Sequence, residues 1–488
     1  RDISSGLNYR IAAETAVLNA KIIPCLDLFL EKVQTTIRRR GLTAPLMVVR
    51  SDGSLMSLEM ARQRPIETIL SGPAASVAGA GYLTGATDAL IVDIGGTTTD
   101  TAMIRHGVVK TCPDGALVGR WKTHVEALDM RTLGLGGDSR IVRIDGRLAV
   151  GPQRIAPIAW LARHDPRTGA ALEWLGNHMD HFGEKTRAME IVTLIPNSTD
   201  RQLDVREREV VEQLRARPHS VEELVERLQR LDEQLLPLER LEEDYIIQRC
   251  GLTPTDLLHA GGLLELWDVA AARRICDMYA ALMHTDRDSF IEQALEIITR
   301  ILAIDLLKTG LANRVDPDTI EDAPAAMVLI DDALAGTPDI FDVRIELKAP
   351  VIGIGAPAQF FLPAAARRLH ARVVIPEHAD VANAIGAITS RVHIHRRATI
   401  AVDEKGLYRV EGLPGTPTFN SIDEAQRTAV AHLRMLVREL GGQAGATHPE
   451  VTIEIDDRQT PLKDGEQLFI GRVIAARLCG QPNLEVKI

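Results

Sequence analysis

Asp93-Ile94-Gly95-Gly96-Thr97-Thr98-Thr99-Asp100 gathers the residue types best suited to chemistry in this 488-residue chain. Glycine has no side chain, so the backbone N–H groups of Gly95 and Gly96 are open to close approach by an anion. The hydroxyls of Thr97, Thr98 and Thr99 add donors. Carboxylates beside a phosphate repel it unless a hard cation lies between. Mg²⁺ held by one or two carboxylates plus phosphate oxygens is the common solution. The segment therefore reads as a phosphate-and-magnesium turn, with Asp93 and Asp100 as metal or water-orienting groups in either order. It lacks the Gly-Lys-Ser/Thr ending of a P-loop. Two more glycine turns are candidates to line a nucleotide: Gly136-Gly137-Asp138-Ser139 and Gly353-Ile354-Gly355-Ala356. Asp138 is open to two readings, a second magnesium or water-orienting carboxylate, or a turn aspartate bonding its own backbone.

These residues need rigid elements behind them. Strand patterns over 89–94, 97–104 and 107–111 place the Gly-Gly pair at a tight hairpin, where both positions can require φ > 0. Asp145-Gly146 marks another hairpin within 141–150. Over 350–390 a strand, a glycine turn, a helix, the strand 372–375 and a helix over 379–390 give a βαβα pattern, which implies a parallel right-handed crossover. That places Gly353, Gly355 and Ala356 at a strand's carboxyl end, where open α/β sheets take nucleotides. A lone Gly-x-Gly can equally be structural.

Helix signals are distributed along the chain. The first helix runs from about Ile11, with Pro24 expected to kink or divide it. Ser71-Gly72-Pro73 opens a helix of small residues, which either packs tightly on the sheet or aims its N–H groups at a phosphate. Thr253-Pro254-Thr255-Asp256 reads as N-cap, Pro at N1 and acid at N3. Helices are expected over 268–284 and about 288–309, the second ended by Gly310. Between 201 and 250 the composition turns to Arg, Glu and Leu. Val221, Leu224, Val225, Leu228, Leu231 and Leu235 recur at helical spacing behind a Ser220/Glu223 capping box. Mixed charge makes this a solvated helical insertion in preference to a DNA reader. His393 and His395 fall on one face of a strand, and His178 and His181 on one side of a helix; without a third ligand both read as surface pairs.

Bulk properties point to a cytoplasmic enzyme of two to four domains. The formal charge of −11 and the 3% aromatic content disfavour a nucleic-acid surface. Five scattered cysteines without a Cys-x-x-Cys pair fit neither a disulfide framework nor a zinc site. No apolar run reaches the roughly 18–20 residues that span a bilayer.

Several motifs resemble, in order, those of the hydantoinase/oxoprolinase family (hydantoinase A-like), within the actin, sugar-kinase and Hsp70 ATPase superfamily. They are Thr15-Ala16-Val17-Leu18-Asn19-Ala20, Ser51-Asp52-Gly53-Ser54-Leu55-Met56-Ser57, Leu70-Ser71-Gly72-Pro73-Ala74 and the 93–100 turn, followed by 134–139 and Leu252–Asp256. The resemblance implies an α/β fold of the ribonuclease H-like actin/sugar-kinase type, a mixed sheet flanked by helices with the charged helical insertion. It implies ATP and Mg²⁺, with Gly353, Gly355 and Ala356 on the adenosine side and the other glycine turns on the phosphates. It also implies chemistry: phosphorylation of an amide or carbonyl oxygen, completed by water on a cyclic amide or by carbon dioxide on a ketone. A hydantoinase B-like partner subunit belongs to the same expectation, and a non-catalytic ATPase activator or a scaffold of a partner enzyme is the alternative.

Two departures shape the expectation. Such proteins carry an N-terminal domain with its own Asp-x-Gly-Gly-Thr hairpin, so this sequence reads as a fragment whose N-terminal half-domain is absent. Gly151–Ile158 replaces the family's Ala-Gly-x-x-Pro-Gly-Pro stretch, which leaves the substrate open. The expected divisions are a phosphate-binding region 1–200, the insertion 201–250, a helical and adenosine-side region 251–412, and a C-terminal region 413–488.

Overall fold

A computed structural model describes residues 8–112, 115–118, 121–179, 187, 189–196, 202–312, 314–336, 342–461 and 467–483. The chain forms two compact units. One holds the chain up to Thr87, Ile104–Asp129 and everything from Val381; the other holds Asp88–Met103 and Met130–Asp380.

The second unit carries all the candidate glycine turns. Its sheet runs Met130–Leu133, Thr99–Arg105, Ala89–Ile94, Val351–Ile354, Val373–Val374, the last residues of the second strand belonging to the other unit. Ala89–Ile94 is buried at five of six positions, as a central strand covered on both faces must be. Four residues link it to its neighbour, which permits only antiparallel pairing. Val351–Ile354 lies parallel to it, with Ile354 opposite Asp93, and Val373–Val374 continues in parallel. The helix Ala358–Arg368 makes the crossover between them. The expected βαβ unit is therefore present, and two parallel strands end side by side at Ile94 and Ile354.

A second sheet in this unit was not anticipated. Ala156–Pro157, Ile247–Gly251, Ile191–Leu194 and His219–Ser220 pair in that order. The run of spaced leucines from 221 onward is not one helix. Val221–Arg227 ends at Leu228, Leu231 is 93% exposed, and Leu238–Glu243 forms a separate short helix. Val192, Val210, Leu214, Val221, Leu224 and Leu241 close around a small core of their own. Only half of the Ser220/Glu223 box forms. Ser220 accepts from Glu223 N–H, while the Glu223 carboxylate goes to Arg217 and Arg227. Gly310 does not end its helix, which runs Arg287–Leu311; isolated glycine is tolerated inside a helix with tertiary support.

In the first unit the helix Tyr9–Arg39 passes through Pro24 without dividing. Asn8 caps its start through both Arg10 N–H and Ile11 N–H. The small-residue helix Ser71–Thr84 packs chiefly on the helix Ala382–Thr389 and also meets the strand Met47–Val49. A methyl on Gly79 would lie 1.9 Å from the Ala382 carbonyl oxygen, and one on Gly386 1.8 Å from that of Ala75. Backbone-to-backbone contact of this kind is what small residues permit. A five-stranded antiparallel sheet, Thr418–Phe419, Tyr408–Glu411, Val392–Val402, Gln467–Pro482, Ala446–Pro461, is covered on one face by the helix Ile422–Gln443. Among the described residues no helix is long and apolar enough to cross a membrane.

Candidate phosphate site

The turn at Gly95–Thr98 closes through Gly95 N–H to the Thr98 carbonyl at 2.9 Å. Neither glycine takes a positive φ, against the hairpin expectation. Their lack of side chains serves close approach instead. The second glycine turn docks directly on the first, with Gly137 N–H donating to Gly95 O at 2.9 Å and Asp138 N–H to Gly96 O at 2.7 Å. A methyl on Gly136 would sit 2.6 Å from both the Gly95 and Gly96 carbonyl oxygens. Ser139 closes its own loop by accepting from Gly136 N–H at 2.8 Å. Thr99 is fully buried and donates its hydroxyl to Leu135 O at 2.7 Å, so it ties the two turns together from beneath. Thr97 is exposed and Thr98 half-buried, and these two carry the hydroxyls on the open side of the turn.

The third turn joins through the parallel pairing. Gly355 has φ +84°, and a methyl there would lie 2.2 Å from Ile94 O and 2.8 Å from Asp93 Oδ1. Pro357 stands 3.3 Å from the place a Gly137 methyl would take. Gly353 is buried within its strand, its missing side chain replaced by Ile375 and Leu362, while Ala356 is exposed at the end of the turn. All three glycine turns thus meet at the carboxyl ends of two parallel strands, the position where α/β sheets bind ligands.

The carboxylates surround this junction. Asp100 accepts from the Thr132 hydroxyl at 2.5 Å and from Thr98 at 3.4 Å, both neutral donors. Burial pushes its carboxyl up, the threonine hydroxyls oppose this, and Asp93 and Asp305 add repulsion. Asp138 lies over the Gly96 α-carbon and pairs with Arg154 at 3.1 Å. Burial raises it too, opposed by Arg154. Sequence reasoning missed Thr132 and Arg154. Thr132 reaches Asp100 because the two are cross-strand partners, and Arg154 ends the strand that follows the Asp145-Gly146 turn. Both depend on pairings that single-residue patterns do not reveal. Of the histidine pairs, His178 stacks on Trp174 and His181 lies outside the described residues. His395 Nδ1 is 3.9 Å from Glu126, and His393 Nε2 3.8 Å from the Cys479 sulfur.

The Thr253–Asp256 segment holds the junction from behind. Thr255 donates both its N–H (3.0 Å) and its hydroxyl (2.7 Å) to Gly137 O. The expected capping box forms, with Thr253 Oγ1 accepting from Asp256 N–H and Asp256 accepting from Thr253 N–H. Asp256 also accepts from Ile158 N–H and Ala159 N–H at 3.2 and 2.8 Å, so it caps a second helix, Ile158–His164, that has no side-chain cap of its own. Asp256→Ala leaves buried donors at two helix starts unpaired, and we expect it to lower stability by about 3 kcal/mol or more in urea denaturation. Burial outweighs the donors and holds the Asp256 carboxyl up at about 7. A raised folded-state value means the group's contribution is complete below the ordinary carboxylate range and is lost as pH rises through 7. Melting temperature should therefore fall between pH 5 and 8, and fall less in Asp256→Asn.

Residues 12–157 match the hydantoinase/oxoprolinase family. The chain is 31% identical over 145 residues to the caprolactamase subunit alpha of Pseudomonas jessenii, a stretch covering 28% of this chain and 20% of that subunit. The fold is similar to that of nucleotide-free acetone carboxylase, from work on ATP-dependent acetone carboxylation. The TM-score is 0.53 at 14% identity, over 93% of this chain and 55% of that one. The ATP-dependent caprolactamase structure from Pseudomonas jessenii aligns with a TM-score of 0.49 at 15% identity, over 96% and 57%. The chain thus spans little more than half of these structures.

Proposed function

We propose that this chain is the ATP-binding part of an ATP-dependent hydrolase of the hydantoinase/oxoprolinase type, activating a cyclic amide or related carbonyl by phosphorylation. The carrying observation is the docking of the Gly136–Gly137 turn on the Gly95–Gly96 turn, with Asp93, Asp100 and Asp138 around them. The finer fold assignment, a ribonuclease H-like actin/sugar-kinase ATPase, is supported by the antiparallel hairpin beside a parallel strand and by the glycine turns at the parallel strands' ends.

The residues fit Mg²⁺. Asp100 is buried against like charge with only hydroxyl partners, a setting that a hard cation would relieve. No group of three His, Cys, Asp or Glu side chains able to hold a metal occurs among the described residues, so Asp93 and Asp100 would hold the ion alongside phosphate oxygens and water. Bound there, it would neutralise charge on the transferring phosphoryl group. The protein's own share is positioning and charge stabilisation, which dominate phosphoryl transfer. Backbone N–H groups around Gly96 and the Thr97 and Thr98 hydroxyls would orient the phosphates. Gly355 and Ala356 would support the adenosine side, and Asp138, restrained by Arg154, would orient the acceptor or a water.

The likeness to acetone carboxylase favours a second reading, an ATP-dependent carboxylase subunit; the alpha-subunit relative supports a partner subunit of hydantoinase B type. Phosphate release from ATP separates the readings. Stimulation by lactams or hydantoins is expected; stimulation only by a ketone with bicarbonate would assign the carboxylase. Stimulation only by a partner protein would leave an ATPase activator.

A further inference from the structure

A cavity of about 750 Å³ opens beside Asp138 and Arg154, within the second unit, and the Gly353–Ala356 turn is not among its described lining residues. Its size suits a small organic ligand. The chain has four tryptophans and five tyrosines, and Trp160, Trp267 and Tyr245 all line this one space. The two tryptophans are fixed. Trp267 lies parallel to the buried His259 ring, 5.5 Å between centroids, and donates its backbone N–H to His259 Nε2 at 3.0 Å. That bond puts the ring proton on Nδ1, which donates to Thr255 O at 2.8 Å. Trp160 sits on the helix Ile158–His164, whose start Asp256 caps. The same bracket that secures Gly137 therefore secures both aromatic walls.

Carboxylates outnumber arginines on the described lining. Glu239, Glu242 and Glu243 come from one face of the helix Leu238–Glu243, at i, i+3 and i+4 spacing. Among the described lining residues they and Asp138 set four carboxylates against one arginine, Arg154. Arg187 meets Glu239 at 3.2 Å and Arg249 meets Glu242 at 2.9 Å, whereas Glu243 has no ion-pair partner among the described residues. Aromatic faces attract cations, and a negative lining repels anions.

We propose that this cavity binds a ring-bearing organic cation, the ring against Trp160 and Trp267 and the positive group toward Glu239, Glu242 and Glu243. That this ligand is the phosphoryl acceptor rests on the reading above, because Asp138 belongs to both sites; the cavity's preference does not. Benzamidinium, benzamide and benzoate share one shape and differ in charge. Each would be titrated into the protein by calorimetry and tryptophan fluorescence, without nucleotide and with saturating Mg-ADP. Benzamidinium should bind at least about tenfold tighter than benzoate, with benzamide between. Glu243→Gln should weaken benzamidinium about threefold or more and leave benzamide unchanged. Trp160→Phe should remove part of the fluorescence response. Benzoate binding as tightly as benzamidinium, or none of the three binding, would overturn the proposal. So would displacement of benzamidinium by Mg-ADP, since that would assign the cavity to the nucleotide. Benzamidinium binding in a protein that ignores Mg-ADP would support the cavity and defeat the phosphate reading alone.

Discussion

Asp100→Asn should lower ATP hydrolysis by about 10²–10³-fold while leaving the fold as stable as before, or more so. The two effects separate because the carboxylate works against folding. It is buried, its partners are the neutral hydroxyls of Thr132 and Thr98, and Asp93 and Asp305 repel it. Asparagine keeps an oxygen to accept from Thr132 and removes the buried charge. The sign follows from linkage: a carboxyl raised in the folded state contributes stability below the ordinary carboxylate range and loses it as pH rises through its folded value. The variant should therefore melt at or above the wild-type temperature at pH 8, the gap narrowing toward pH 4. A variant that melts several degrees lower, or that retains full ATP hydrolysis, would make Asp100 a structural residue.

Gly136→Ala should have the opposite profile, losing both fold stability and activity. The added methyl meets backbone, not a movable side chain: Gly95 O, Gly96 C and Gly96 O, each at 2.6 Å. Relief requires the two turns to separate, breaking Gly137 N–H to Gly95 O and Asp138 N–H to Gly96 O. Overpacking of this kind costs about 1–3 kcal/mol, and displacement of about 1 Å at a reacting group lowers rate about 10²-fold. Urea denaturation and steady-state ATP hydrolysis measure the two losses. Gly169→Ala is the control, since nothing lies within 4 Å of its added methyl on an exposed helix position. It should be neutral or stabilising by about 0.5–1 kcal/mol. A Gly136→Ala protein as active and stable as that control would remove the docked turns from the account.

The sequence made some of these features legible and concealed others for physical reasons. The Gly95-Gly96 turn, the βαβ unit at Val351–Val374 and the Thr253–Asp256 helix start were readable, because local chemistry determines turns, crossovers and caps. The Asp145-Gly146 hairpin was readable for the same reason, both residues taking φ near +50° to +75°. What the Gly-Gly pair is for was not readable, because it answers to Gly136, forty residues on, and not to its own φ. Thr99 offers its hydroxyl to Leu135 O, a choice fixed by burial and not by residue type. Pro24 and Gly310 lie inside helices that tertiary contacts carry past them. The region around 190–251 misled more deeply. Its arginine- and glutamate-rich helices show on the surface of the pattern, while its strands are only two to five residues long and find partners across up to 94 residues, as Ala156 does with Cys250.

We propose Asp93–Asp100 as a magnesium-dependent nucleotide phosphate site. Calorimetric titration of ATP, with Mg²⁺ and then with EDTA in its place, tests it most directly on the wild type and on Asp100→Asn. We expect saturable binding in Mg²⁺, at least about tenfold weaker binding in EDTA, and the same loss in the variant even with Mg²⁺ present. Absence of binding, or equal affinity in all of these conditions, would contradict it.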